Sequence, residues 1–262
     1  IDGYPVTSIG RGALSNGGFR TITIPNSVTR ITGNPFPGTR LQKVIVDQDH
    51  PVFAHISGVL FDKQQKKLIC YPTHKEAQAY EIPNGIRIIG EGAFRGICYL
   101  SRIVIPDSVT TIENYAFGSC YVTHLDIPDS VVEIKGNPFY GLSYLDSIGV
   151  SKEHPVFAIR SSMLYDKQRD AIICCPRNVG ISSWDIPKEL RIIGDYAFSG
   201  CRIRGKLEMP DGLIEIGKSA FYECKKMTSI ELPSSVTKIG NNAFLSCEAL
   251  QEVLIPENVE YI

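Results

Sequence analysis

The stretch SVTTIENYAFGSC, residues 108–120, decides the fold because the chain repeats it. It returns as GLIEIGKSAFYEC at 212–224 and as SVTKIGNNAFLSC at 235–247. Self-similarity at a fixed period of about 20 to 50 residues is typical of repeat proteins. The stretch is therefore interpreted as one unit of an array.

Each unit is anchored by a proline that follows an apolar residue. The anchors are Pro25, Pro83, Pro106, Pro128, Pro187, Pro210, Pro233 and Pro256. Successive anchors are 22 or 23 residues apart, except for two gaps of 58 and 59 residues. After every anchor an aliphatic residue stands at the third position and Ile at the sixth, and Phe stands at the eleventh wherever the chain reaches it. A unit this short cannot bury its own apolar face, so the pattern predicts stacked coils that share one core.

The coil itself can be read from LSRIVIP, residues 100–106. The alternation of Ile103 and Ile105 places both on the inner face of a short strand. Proline ends the strand because it has no amide hydrogen for the ladder. Val109 and Ile112 then return to the interior. The sequence predicts a solenoid of about eleven coils, built mainly from short parallel strands joined by 3-10 and other turns.

The two long gaps contain an inserted segment. HPVFAHISGVLFDKQQKKLICYP at 50–72 and HPVFAIRSSMLYDKQRDAIICCP at 154–176 match at 13 positions. Each has short apolar runs around a polar turn, which predicts β-hairpin insertions near 50–76 and 154–180. A unit of 103 to 104 residues is thus duplicated within a single solenoid domain, residues 1–262, which we expect to be a fragment of a larger protein.

A departure from the repeat precedes each insertion. The tetrapeptide GNPF stands at 33–36 and 136–139, where other coils have Ala before the Phe. We interpret GNPF as the local adaptation that admits the inserted segment.

Composition excludes several classes of partner. Lys and Arg number 27 against 28 Asp and Glu, a net charge of −1, so nothing favours binding to nucleic acid or to an anionic membrane surface. No apolar run approaches the roughly 18 residues of a spanning helix, so this segment is not expected to insert into a membrane. Residues 1–262 also contain no export signal.

These motifs resemble the BspA-type leucine-rich repeat family, whose signature is IPxSVxxIGxxAFxxC and in which hairpin insertions like GVLFDK…LICYP recur. GYPVTSIG at 3–10 is similar to the family's opening phrase, and the resemblance covers essentially all of residues 1–262. It implies a curved leucine-rich-repeat solenoid with a parallel sheet on its concave face. It also implies an extracellular or cell-surface location, since such proteins are exported by host-associated bacteria and some parasitic protists, and several act as adhesins. The family has no shared catalytic site.

Four of the eight cysteines form a column. Cys120, Cys201, Cys224 and Cys247 each stand fourteen residues after an anchor proline. A zinc site needs ligands that converge on one point, whereas a column spreads them along a line. We therefore expect buried thiols that pack as small apolar groups, and neither a metal nor a cofactor.

No catalytic residue is predicted, and the chain is not expected to be an enzyme. His50 and His154 occupy the same position in HPVF, where the side chain is expected to bond to the turn backbone. The only tryptophan, Trp184, falls in the inward position of Ile103 and Leu207, which favours core packing over ligand stacking.

The solvent-facing side of the concave strands is the candidate binding surface. Its predicted partner-binding residues are Glu81, Arg102, His124, Asp126, Asp185, Lys206, Glu208 and Glu231. Asp185, Glu208 and Glu231 are expected on consecutive rungs about 5 Å apart, an arrangement that is mildly destabilising. Two interpretations are open: a solvated acidic face that Lys206 compensates locally, or a stripe that recognises a basic partner surface or a cation.

Three functions follow from this reading. The first is a non-enzymatic, adhesin-like module that binds an extracellular host or neighbouring-cell protein, or a glycan. The alternatives are a structural spacer or stalk that presents other domains, and an accessory repeat domain of an enzyme. Because open sheets expose unpaired edges at both ends, we also expect weak end-to-end self-association.

Overall fold

The computed structural model describes residues 4–177 and 179–261, apart from the side chain of Trp184, so the prediction for that side chain lies outside the described part. The strands are β1 (Ser8–Ile9), β2 (Thr21–Ile24), β3 (Arg30–Ile31), β4 (Lys43–Val46), β5 (Phe53–Ile56), β6 (Val59–Asp62), β7 (Lys67–Cys70), β8 (Ala79–Glu81), β9 (Ile88–Ile89), β10 (Arg102–Val104), β11 (Thr111–Ile112), β12 (His124–Ile127), β13 (Glu133–Ile134), β14 (Ser147–Val150), β15 (Phe157–Arg160), β16 (Met163–Asp166), β17 (Ala171–Cys174), β18 (Ile192–Ile193), β19 (Gly205–Glu208), β20 (Glu215–Ile216), β21 (Met227–Glu231), β22 (Lys238–Ile239) and β23 (Glu252–Val253). One 3-10 helix, η1 (Ser183–Asp185), precedes β18.

The predicted solenoid is confirmed, with about eleven turns. An ordinary coil contributes a long strand before its proline and a two-residue short strand after it. In one coil these are β10 and β11, and β11 pairs in parallel with β9 on one side and β13 on the other. Long strands pair with long strands, as β19 does with β21, so the coils form separate long-strand and short-strand sheets.

The core consists of the positions that repeat. Ile103, Val109, Ile112 and Phe117 are all buried, as predicted. The phenylalanines stack face to face between coils, with ring centroids 5.9 Å apart for Phe117 and Phe139. Each pair of aromatic rings contributes about 0.5–1.5 kcal/mol beyond its burial, so this ladder adds to the cohesion between coils.

The hairpin insertions are confirmed and contain one more strand than the apolar runs predict. β5, β6 and β7 form an antiparallel meander, and β7 then pairs in parallel with β9. β15, β16 and β17 repeat this arrangement next to β18. Because β6 occupies the other edge of β7, β3 pairs with β1 alone among the strands of the described residues, and the short-strand sheet is interrupted before the first insertion.

Asn34 of the first GNPF segment explains why that motif accompanies an insertion. Its backbone N–H donates to Glu91 O at 3.0 Å, and its side-chain Nδ2 donates to Gly92 O at 2.8 Å. Its Oδ1 accepts the N–H of Phe36 at 2.9 Å. The buried asparagine thus ties together two coils that the inserted segment separates in sequence.

The chain divides into two compact units. The first comprises Ile1–Val122 and Ser130–Leu142, and the second comprises Thr123–Asp129 and Ser143–Ile262. Each unit contains one six-stranded sheet that begins with its own hairpin.

Candidate functional site

The candidate surface is the solvent-facing side of the long strands, called here the long-strand face. In the first unit it includes Glu81 on β8 and Arg102 on β10, both of which are exposed. Glu81 stands opposite Val104, and Arg102 stands opposite Ala79. Neither side chain makes an ion pair with another described residue, so both charges are available to a partner.

In the second unit His124 and Asp126 lie side by side on β12. His124 Nε2 is 3.0 Å from Asp126 Oδ1, and His124 Nδ1 is 2.7 Å from Ser147 Oγ on β14. The carboxylate lies directly over Gly149, where an added Cβ would be 1.9 Å from Asp126 Oδ1. This glycine therefore lets the acidic side chain lie flat on the neighbouring strand.

The Ser147–His124–Asp126 row has the connectivity of a catalytic triad without its environment. In a serine hydrolase the carboxylate is buried, which holds and polarises the imidazole. Here the Asp126 side chain is 82% exposed and that of His124 49%. The row is better suited to offering polar contacts to a partner. Sequence reasoning missed Ser147 because its coil has Ser151 where the anchor proline would stand, although LDSIGV at 145–150 aligns with the other coil starts.

The prediction that three carboxylates form an acidic stripe on consecutive rungs is wrong for Asp185. This residue lies in η1 and not on a strand. Its Oδ2 accepts the N–H of Ser182 at 2.9 Å and the hydroxyl of Ser182 at 2.7 Å. A serine three residues before an acidic residue is the signal of a capped helical turn, and here it replaces the strand that the repeat predicts.

The remaining two carboxylates form one compensated cluster. Glu208 and Glu231 stand directly opposite each other, and Lys206 Nζ lies 2.9 Å from Glu208 Oε1 and 2.5 Å from Glu231 Oε2. Hydrogen bonds to Glu231 and then Glu208 raise the pKa of the Lys206 ammonium group. All three side chains are exposed, so water screens the pairs strongly. The local compensation that the sequence offered as one interpretation is present in the structure.

A recess of about 290 Å³ lies beside this cluster. Ser183, Lys188 and Glu208 contribute its polar lining, and Ile186 and Met209 contribute to its apolar part. Ser183 Oγ accepts the backbone N–H of Glu208 at 2.9 Å, which fixes η1 against β19. The 3-10 turn that removes Asp185 from the stripe thus creates a depression next to Glu208.

The cysteine column packs against backbone carbonyl groups. Cys224 Sγ donates to Phe198 O at 3.1 Å, and Cys247 Sγ donates to Phe221 O at 3.0 Å. Burial raises the pKa of the Cys120 thiol to about 12. All eight cysteines are free thiols. Among the described residues no three His, Cys, Asp or Glu side chains are grouped so that they could hold a metal ion.

The two HPVF histidines are structural, as predicted. Nδ1 of His154 accepts the N–H groups of Val156 at 3.1 Å and Phe157 at 3.0 Å. Nε2 lies 3.2 Å from Pro128 O, and since a carbonyl group only accepts, this nitrogen carries the proton. His50 makes the same three contacts in the first insertion. Neither histidine is available for chemistry with a ligand.

Within 4–177 and 179–261 no helix has the length and apolar character required to cross a bilayer.

Comparison with solved structures supports the fold. The pneumococcal vaccine antigen PcpA is similar with a TM-score of 0.70 and 25% identity, over 98% of this chain and 63% of that one. A leucine-rich repeat protein from Eubacterium ventriosum has a TM-score of 0.62 and 22% identity, over 95% of this chain and 64% of that one. A leucine-rich cell surface protein from Faecalibacterium prausnitzii has a TM-score of 0.53 and 24% identity, over 98% and 83%. The chain therefore spans less than two thirds of the first two proteins.

Comparison of the sequence with models of protein families identifies one family. No curated protein matches the chain significantly. The model of the BspA type leucine rich repeat region matches six copies, across residues 4–66, 67–179 and 174–262. Together with the coil geometry, this match shows that the chain belongs to the BspA-type leucine-rich repeat family.

Proposed function

We propose that the chain is a non-enzymatic binding module of a secreted or cell-surface protein, and that its long-strand face engages an extracellular protein or a glycan in the manner of an adhesin. The observation that carries the proposal is the pair Glu81 and Arg102, two exposed charges on adjacent strands without ion-pair partners among the described residues. Solenoids commonly use such an extended strand surface for recognition. The description of one similar structure as a cell surface protein supports the location.

A spacer function is the second candidate, and Lys206 favours it. Where this side chain bridges Glu208 and Glu231, one ammonium group offsets part of the charge of two carboxylates, so the cluster offers a partner less charge. A spacer needs only the stack of coils and no recognition residues.

Binding to a panel of extracellular matrix proteins and glycans, at near-physiological salt, separates the two. The test variants are Glu81→Lys with Arg102→Glu in the first unit, and Lys206→Glu in the second. The matched control is Lys225→Glu, which changes an exposed lysine in an ion pair with Glu248 before β21. Saturable binding that survives in the control and is lost in a face variant supports the binding module. Binding to nothing, or binding that every variant retains, contradicts recognition by this face and favours the spacer.

A further inference from the structure

The first hairpin leaves a charged cleft on the short-strand side of the first unit. The cleft measures about 500 Å³, which is within the range of small-ligand sites. Residues 30–33 line one wall, Gln65 and Lys67 of the hairpin line another, and Glu91, Glu113 and Lys135 come from the following coils. The opening exists because β6 pairs with β7, so no strand of the described residues pairs with β3 on that side.

The walls of the cleft are held in fixed positions. Asn34 joins the segment after β3 to Glu91 and Gly92. Arg11 forms an ion pair with Glu91 across the same junction. Gly33 has φ +67°, and a Cβ there would come within 3.2 Å of Glu91 Oε2. This wall of the cleft is therefore formed by constrained backbone as well as by surface side chains.

Lys67 and Glu113 form the least exposed ion pair of the cleft. Lys67 Nζ lies 2.6 Å from Glu113 Oε2, and the two side chains are only 16% and 18% exposed. The lysine stem crosses Gly90, where an added Cβ would lie 2.6 Å from Lys67 Cε. The same Cβ would lie 2.7 Å from the backbone oxygen of Leu68, so glycine at this position lets the coil lie close to β7.

The cleft carries one cation more than it neutralises. Its lining contains the cations Arg30, Lys67 and Lys135 and the carboxylates Glu91 and Glu113. Lys67 is paired with Glu113, and Lys135 lies 3.7 Å from Glu133 Oε2 and 4.0 Å from Glu113 Oε1. Glu91 is already paired with Arg11 from outside the lining. Arg30 makes no ion pair with a described residue, so it is the unsatisfied anion-binding group, and its planar guanidinium suits a carboxylate.

Neutral hydrogen-bonding groups also line the cleft. Asn114 Oδ1 accepts the N–H of Asn137 at 3.1 Å, whereas its Nδ2 makes no hydrogen bond with a described residue. The side-chain amide of Gln65 and the hydroxyl of Thr32 also lie exposed at the cleft. A ligand that matches this lining bears one carboxylate and several hydroxyl groups.

We propose that this cleft binds a carboxylated sugar, with its carboxylate on Arg30 and its hydroxyl groups on Gln65 and Asn114. The site is independent of the long-strand face and of the function proposed for it. The second hairpin has Arg169 and Ala171 at the positions of Gln65 and Lys67, so the cleft lining is not duplicated and each chain carries one site.

Isothermal titration calorimetry with glucuronic, galacturonic and N-acetylneuraminic acids tests the proposal, with glucose and N-acetylglucosamine as neutral probes. At least one acidic sugar should bind one to one, and more weakly as salt is raised. Arg30→Gln should weaken it by about tenfold or more, since a charge-assisted hydrogen bond is lost. Gln65→Ala should weaken it less. Arg40→Gln, an exposed arginine of the same unit that does not line the cleft, is the matched control and should bind as the unmodified chain does.

Three results would overturn the proposal: binding of no acidic sugar, equal binding of neutral sugars, or the same loss in Arg30→Gln and Arg40→Gln. The Glu81→Lys, Arg102→Glu variant separates the two sites. Sugar binding that persists in this variant assigns the ligand to the cleft whatever the fate of the long-strand face.

Discussion

The two inserted coils, residues 50–82 and 154–186, share a sequence pattern but differ in the side chains that fill their interior. Both place a histidine inside the turn that begins the insertion. At the end of the hairpin, however, the first has Tyr71 and the second has Cys175. Tyr71 is fully buried and extends the phenylalanine ladder, with its ring 5.6 Å from that of Phe94. Cys175 instead offers its carbonyl oxygen to the Cys201 thiol at 3.4 Å.

The next strand position differs as well. The first inserted coil continues into β8, which pairs with β10 and supplies Tyr80, 4.8 Å from the Tyr71 ring. The second continues into η1. The two insertions thus keep the same turn histidine and anchor proline, whereas the residues that fill the interior and the element that follows the hairpin differ.

Truncation of Tyr71, which stands where the second insertion has Cys175, should cause the largest loss of stability. Tyr71→Ala removes a ring packed against two others and leaves a cavity, so we expect a loss of about 3–5 kcal/mol in the free energy of unfolding. Cys175→Ala removes one sulfur atom and should cost about 1 kcal/mol. Urea unfolding followed by far-UV circular dichroism measures both. Equal costs would mean that the two coils do not distribute their packing as the structure shows.

Truncation of Asn34, which joins the coils on either side of the first insertion, should cause the next largest loss of stability. Asn34→Ala leaves the carbonyl of Gly92 and the N–H of Phe36 buried without their partner, at about 1–3 kcal/mol each, so we expect a loss of at least about 2 kcal/mol in the free energy of unfolding. Asn26→Ala, at an exposed turn, is the control and should change stability by less than about 0.5 kcal/mol.

Asn137 extends this test to the second GNPF segment. Its Oδ1 accepts the N–H of Phe139 at 2.8 Å, the bond that Asn34 makes to Phe36. Asn137→Ala should therefore also destabilise the chain. If it does not, the two GNPF segments are not equivalent, although their sequences are identical.

The coil could be predicted from sequence because its determinants are local and repeated. A proline stops each long strand, and alternation places residues such as Ile103 inside. The columns of the long-strand face follow from the same spacing, so Arg102, Glu208 and Glu231 are exposed where they were expected. The part played by Lys206 could also be anticipated, since it is two residues from Glu208 on the same face.

Features that depend on distant or competing contacts could not be predicted in this way. The spacing of the repeat predicts a strand at Asp185, but the hydrogen bonds between Asp185 and Ser182 stabilise a capped turn there instead. Asn34 finds its side-chain partner 58 residues away, across an insertion. The cleft beside Arg30 could be predicted only if it were known that β7 pairs with β6 and not with β3. Short apolar runs do not specify which strands pair.

His154 of the second insertion gives stability a pH dependence. Burial, the largest cause, lowers the pKa of His154 below its usual 6.5. The unfolded chain then binds more protons than the folded chain once the pH falls below about 6.5, so the free energy of unfolding should decrease as the pH is lowered from there. His154→Asn keeps an acceptor for the turn and does not titrate. Urea unfolding between about pH 7.5 and pH 5 should show a shallower decrease for this variant, and parallel curves would rule out the linkage.

The smallest effect should come from single hydroxyl groups, and it should have opposite signs in the two insertions. The Tyr71 hydroxyl is buried and has no hydrogen-bond partner among the described residues, and burial raises its pKa to about 12. Tyr71→Phe removes that unmet polar group and should stabilise the chain by up to about 1 kcal/mol. Tyr165 of the second insertion donates to Asp170 Oδ1 at 2.9 Å, so Tyr165→Phe should instead cost about 1 kcal/mol. Urea unfolding of the two variants side by side gives the sign directly, and a loss of stability in Tyr71→Phe would show that its hydroxyl has a partner in solution.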